Sequence, residues 1–85
     1  MLCPPMPTVA FPHDHSPMRA RELDIDGKKV PYGNLLAWAG IATSNGLPAT
    51  TMPIAHTDGG LPIGVQIIAN HYKEAAALRV ARHLE

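Results

Sequence analysis

His13, Asp14 and His15 stand in a row, the one cluster in this chain with residue types suited to metal chemistry. Two histidines at i and i+2 of an extended segment point to the same side. Imidazole and carboxylate both ligate zinc. A structural zinc site wants four ligands, however, and no second cluster lies at a matching spacing, so the triplet reads as a solvated loop. Ser16 and Ser44 are the only serines. A serine nucleophile needs a base within hydrogen-bond reach, and no lysine stands just ahead of either one. His56 has the chemistry of a base, but neither a serine nor the thiol can be assigned to it. Cys3 is the single cysteine, and without an adjacent base it reads as an ordinary thiol in a flexible end. Tyr32 and Trp38 could stack on a ligand, though the spacing of Trp38 makes it core or interface. Lys28-Lys29 reads as a solvated turn. No catalytic residue, metal ligand or cofactor is assigned, and the substrate-binding residues are left open.

The elements that would position these groups are few. A chain of 85 residues allows one domain at most. Seven acidic and seven basic residues give a formal charge of zero. That balance provides no field to attract nucleic acid or anionic lipid, and no basic stripe with interleaved aromatics is present. No apolar run approaches the roughly 20 residues of a membrane span. The opening, MLCPPMPTVAFP, lacks a basic head and is too proline-rich for a signal peptide. A lone cysteine cannot form an internal disulfide, so a reduced, cytoplasmic setting is expected.

Five of the nine prolines, Pro4, Pro5, Pro7, Pro12 and Pro17, lie in residues 1–21. Proline fixes φ and removes a donor, so this segment is expected to be an extended arm with one short strand near Thr8–Phe11. Asp26-Gly27 signals a two-residue hairpin turn, with Leu23 facing Val30 and Ile25 facing Lys28. Across 32–42, Leu35, Trp38, Ala39 and Ala42 make one helical stripe, and Asn45-Gly46 and Pro48 stop it. ATTMPIAH (49–56) reads as a strand in which Pro53 marks an edge or a bulge. The turn TDGG then leads to GVQIIA, forming an antiparallel hairpin. From Asn70 onward a helix is expected, with Asn70 as N-cap and Ala77, Ala81 and Leu84 on one face. Ile63, Val65, Ile67 and Ile68 make the second strand of the pair apolar on nearly both faces. Such strands normally lie inside a sheet covered on both sides.

From Thr43 the string TSNGLPATTMPIAHTDGGLPIGVQIIAN resembles the C-terminal region of the amidase signature family. The motif Gly60-Leu61-Pro62-Ile63-Gly64-Val65-Gln66 is intact. In the turn Ser44-Asn45-Gly46-Leu47-Pro48-Ala49 the Asn sits one residue before the Gly, where the family more often has two. The arm, the Asp26-Gly27 hairpin and the Tyr32/Trp38 helix also fit that region, so the resemblance covers the whole chain. It implies an α/β class: a single partial domain over 1–85, part of a mixed-sheet α/β/α amidase signature fold, with a β-hairpin, an antiparallel strand pair and two helices. It also implies a C–N bond hydrolase, or an amide-transfer subunit, whose serine, second serine and lysine lie upstream. Neither Ser16 nor Ser44 stands in a Gly-Ser-Ser-Gly setting, so no catalytic residue is carried over. The expected role is completion of the sheet and of the substrate entrance, with the remainder of an amidase as partner. The alternative is a free-standing homo-oligomeric module derived from an amidase tail. A place for the His13–His15 arm near the substrate pocket also follows from the resemblance.

Overall fold

The computed structural model describes residues 1–85. They run β1 (Leu2–Cys3), β2 (Glu22–Ile25), β3 (Lys28–Pro31), α1 (Ala37–Asn45), β4 (Ala49–His56), β5 (Pro62–Ile68) and α2 (Glu74–Leu84), with 3-10 turns over Met18–Ala20 and Tyr32–Leu36. Asp26 and Gly27 adopt φ of 53° and 79°, the two left-handed positions that the tight turn between β2 and β3 demands. The register follows from that turn: Leu23 pairs with Val30 and Ile25 with Lys28. This hairpin forms a sheet of its own.

The second sheet has the order β1-β5-β4, antiparallel throughout. β4 is its outer strand, and its register shifts between Pro53 and Ala55, leaving Ile54 as an extra residue. Pro53 stands where its missing N–H is tolerated, at an edge beside a bulge. Between the strands, the Gly60 N–H donates to the Thr57 carbonyl at 2.9 Å, and the Thr57 N–H donates to the Leu61 carbonyl at 2.8 Å.

Three local expectations are corrected. The short strand of the arm is Leu2–Cys3 rather than near Thr8–Phe11. Pro4, Pro5 and Pro7 cannot donate to a ladder, so pairing ends where they begin. The helix expected over 32–42 divides into a 3-10 turn over Tyr32–Leu36 and an α-helix reaching Asn45. Its end is set by Gly46, whose φ of 63° lets its N–H reach the carbonyls of Ala42 and Thr43. Asn70 is not the N-cap of α2. Lys73 holds that position, while the Asn70 side-chain oxygen accepts from the His71 N–H at 2.8 Å.

The core is small. Cys3, Ala42 and Ile68 cluster with Ile41 and Leu47 against them. Gln66 and Ile67 of β5, Leu35, and Ala77 of α2 complete the set of seven buried residues. α2 lies over β4 and β5; Ala77 is sealed, but Leu78 and Leu84 remain 59% and 44% exposed. The accessible surface is 6404 Å² for 9.1 kDa. A self-contained monomer of that mass would expose about 4,900 Å². The radius of gyration is 14.6 Å, against about 12 Å for a compact chain of this length. Much of the apolar surface of this chain is thus exposed.

Candidate functional site

The sequence-derived candidates do not converge. His13 and His15 are exposed, with ring centroids 6.0 Å apart, and no group of three or more His, Cys, Asp or Glu is placed to hold a metal ion. Asp14 turns inward on its own loop. Its Oδ1 accepts from the Ser16 hydroxyl and, at 2.9 Å, from the Ser16 N–H. Those two bonds, the hydroxyl first, hold the Asp14 carboxyl below its ordinary value. Ser16 is thereby engaged as a donor, and its carbonyl accepts from Arg21 Nε at 2.6 Å. The Ser44 hydroxyl donates to the Gly40 carbonyl within the helix. Neither hydroxyl faces a base.

The remaining candidates are equally dispersed. Tyr32 meets Phe11 edge-to-face at 6.2 Å and carries the Arg21 guanidinium 5.3 Å above its ring, which fastens the arm to β2–β3. Trp38 is 37% exposed, and its carbonyl lies 3.5 Å from Gln66 Nε2. Gln66 also approaches the Cys3 sulfur at 3.4 Å. Its amide is therefore an inward link between β1, β5 and α1, not a solvent-facing group, and Cys3 is buried rather than flexible. His56 is exposed at the mouth of the β4–β5 hairpin, and Lys28 and Lys29 are exposed beside their turn.

One apolar concave feature lies away from these residues. Beyond Cys3 the proline-rich arm runs beside β5 without pairing, and a groove of about 650 Å³ opens between them. Leu2, Met6 and Val9 line it from the arm, and Ile54, Ile63 and Val65 line it from the sheet. No lining residue carries a charge. Met1 and Ile68 exchange hydrogen bonds, Ile68 N–H to the Met1 carbonyl at 2.8 Å and the Met1 ammonium to the Ile68 carbonyl at 2.7 Å. Strand alternation then turns the N–H and C=O of Ile68, Gln66 and Gly64 toward this edge. At Gly64, β1 has already ended, and neighbouring Pro5 has no N–H to offer. A side chain at Gly64 would come 3.2 Å from the Met52 carbonyl and 3.6 Å from Pro5. The glycine of the Gly-Val-Gln motif therefore serves the close approach of the β4 backbone to β5, with the Pro5 ring in ordinary contact. Sequence periodicity gave no sign of this groove, because its two walls come from segments far apart along the chain.

These features define a mixed α/β element with an uncharged groove and no assembled nucleophile. The Amidase family model matches residues 1–78, and the chain belongs to the amidase family. It is 39% identical over 88 residues to the A-type subunit of a glutamyl-tRNA(Gln) amidotransferase from Prochlorococcus marinus (strain MIT 9303), a match covering 100% of this chain and 16% of that protein. It is 52% identical over 56 residues to a fatty acid amide hydrolase of Oryza sativa subsp. indica, covering 66% of this chain and 8% of that protein. The corresponding amidotransferase protein of Neisseria meningitidis (strain DSM 15465 / Z2491) is 50% identical over 40 residues, 47% of this chain and 8% of that protein. The chain thus spans 16% or less of the length of these relatives. No helix is long and apolar enough to cross a membrane.

Proposed function

We propose that this chain is the C-terminal portion of an amidase-type C–N hydrolase, acting in the cytoplasm. It completes the sheet, shapes the substrate entrance and leaves bond cleavage to serine and lysine residues on the remainder of the enzyme. The observation that carries this reading is the surplus surface. The chain exposes 6404 Å², roughly 1,500 Å² beyond a closed monomer of its mass. Surplus of that size per chain is on the scale of an obligate interface. The dispersal of Ser16, Ser44 and His56 supports the inactivity of the chain alone. The test is hydrolysis of simple aliphatic and aryl amides by the purified chain. No turnover above the uncatalysed rate is expected. A kcat on the order of 1 s⁻¹ or higher would show that a complete catalytic centre resides in these 85 residues and would end the proposal.

A second reading is favoured by the outer edge of β4 and the neighbouring apolar side chains Ile54, Leu78 and Leu84, all exposed. An open edge beside exposed apolar groups invites strand pairing. Under this reading the surplus surface is covered by a second copy, and the chain is a homo-oligomeric module. Sedimentation separates the two: a discrete dimer that melts cooperatively supports the module, and polydisperse association supports the partial enzyme.

A further inference from the structure

Resting on the homo-oligomeric reading, we propose that α2 is the element by which the chain recognises a second copy of itself. Two α2 helices pack antiparallel about a two-fold axis that passes beside Leu78.

The helix carries a face suited to this. Leu78 is 59% exposed. Glu74, Ala75, Ala81 and Arg82 stand three and four residues to either side of it, so all five share one face. In an antiparallel pair centred on Leu78, residues at equal distances before and after it meet. Glu74 then faces Arg82 of the second copy, and the two-fold repeats the pair. Ala75 meets Ala81, and these small side chains let the helices approach closely around the two leucines. Glu85 falls opposite the start of the other helix, where the dipole end is positive. A parallel pair would set Glu74 against Glu74 and Arg82 against Arg82, so the charges also fix the direction. Within one chain Glu74 and Arg82 cannot meet, since eight residues of α-helix span about 12 Å. Glu74 has only Ala77 and Leu78 at i+3 and i+4.

The surroundings leave room for a second copy. A groove of about 690 Å³ continues the face toward the sheet, lined by Met52 and Ile54 of β4 and by Leu78, Ala81 and Leu84 of α2. β4 is the outer strand, so no further strand of the chain lies on that side. The surface exposed beyond a closed monomer, roughly 1,500 Å², exceeds the ~800 Å² per partner of a standard interface. Pairing through the β4 edge alone fits less well, because Pro53 has no N–H and the bulge at Ile54 breaks the ladder.

The test is a charge-exchange cycle on the full chain, with the dimer constant read by sedimentation equilibrium in low salt, where exposed charges act over the longest range. Wild type should form a discrete dimer. Glu74→Arg and Arg82→Glu each place like charges together at two symmetric positions, and each should weaken it at least about tenfold. The double variant restores opposite pairs and should return to within about threefold of wild type. Both of its charges oppose the helix dipole, so an effect on helix stability alone would make it the weakest of the four. A dimer that the single reversals leave unchanged, or that the double variant fails to restore, would overturn the α2 interface and leave the homo-oligomeric reading standing. A monomer, or polydisperse association, in the wild type would overturn both.

Discussion

Replacing Ile68 by Ala should remove much of the stability of this chain, and its size can be worked from the fold. Ile68 is 5% exposed and lies in the cluster with Cys3 and Ala42. The substitution deletes three carbons, worth about 2.4 kcal/mol at about 0.8 kcal/mol each. The cavity left where the surroundings fail to collapse fully raises the loss to about 3–4 kcal/mol. A domain of this length has a total stability of only about 4–13 kcal/mol, so the loss is a large share. The control is Leu78→Ala, which deletes the same three carbons from a side chain that is 59% exposed. It should cost under about 1 kcal/mol. Native-state hydrogen exchange at the Gln66 and Ile67 amides reads both variants at low protein concentration. Ile68→Ala should reduce protection more than a hundredfold, and Leu78→Ala less than tenfold. Equal losses for the two would refute the reasoning, because the outer face of α2 would then be as well covered as the core.

Two further outcomes are expected. Gly27→Ala forces a side chain onto a residue at φ 79°, which should cost about 1–2 kcal/mol; exchange should accelerate across β2–β3 alone, since that hairpin is a separate sheet. The Asp14 carboxyl, held down first by the Ser16 hydroxyl and then by the Ser16 N–H, should titrate below the ordinary value of about 3.9 when followed at the Ser16 amide. A group depressed in the folded state contributes its stabilisation above the unfolded value and loses it as pH falls through the folded one. The loop should therefore loosen as pH falls through a midpoint below that of an ordinary carboxylate, and Ser16→Ala should move the midpoint upward. A wild-type midpoint at or above 3.9 would contradict the hydrogen bonding.

What the amino acids disclosed depended on the range over which each signal acts. Asp26-Gly27 fixed its hairpin down to the Leu23–Val30 pair, because a two-residue turn leaves no freedom in register. Pro53 pointed to an edge or a bulge, since its missing N–H is tolerated at few places in a sheet, and the structure has both. The apolar run of β5 pointed to a strand inside a sheet, and β5 lies between β1 and β4. The pairing of Leu2 with Ile67 was not legible. Nothing in the local pattern of MLCPP distinguishes a two-residue strand from the coil that follows it. Asn70 has the composition of a cap, but its side chain is satisfied one residue on at His71. The candidate site was the least legible part. The groove depends on where prolines stop one strand opposite another that lies far along the chain, and the residues with conspicuous chemistry, His13 to His15, lie outside it.

The clasp between β1 and β5 also dictates an order of assembly. Cys3 lies opposite Gln66, so this contact closes a loop of more than 60 residues, while the β2–β3 and β4–β5 turns close within a few. Local hairpins form on a scale of about 1–10 μs, and distant pairings wait on the entropy of bringing far segments together. The groove is therefore a late product of folding: both hairpins can exist before it does, and its arm wall is in place only after the last long-range strand pair has closed.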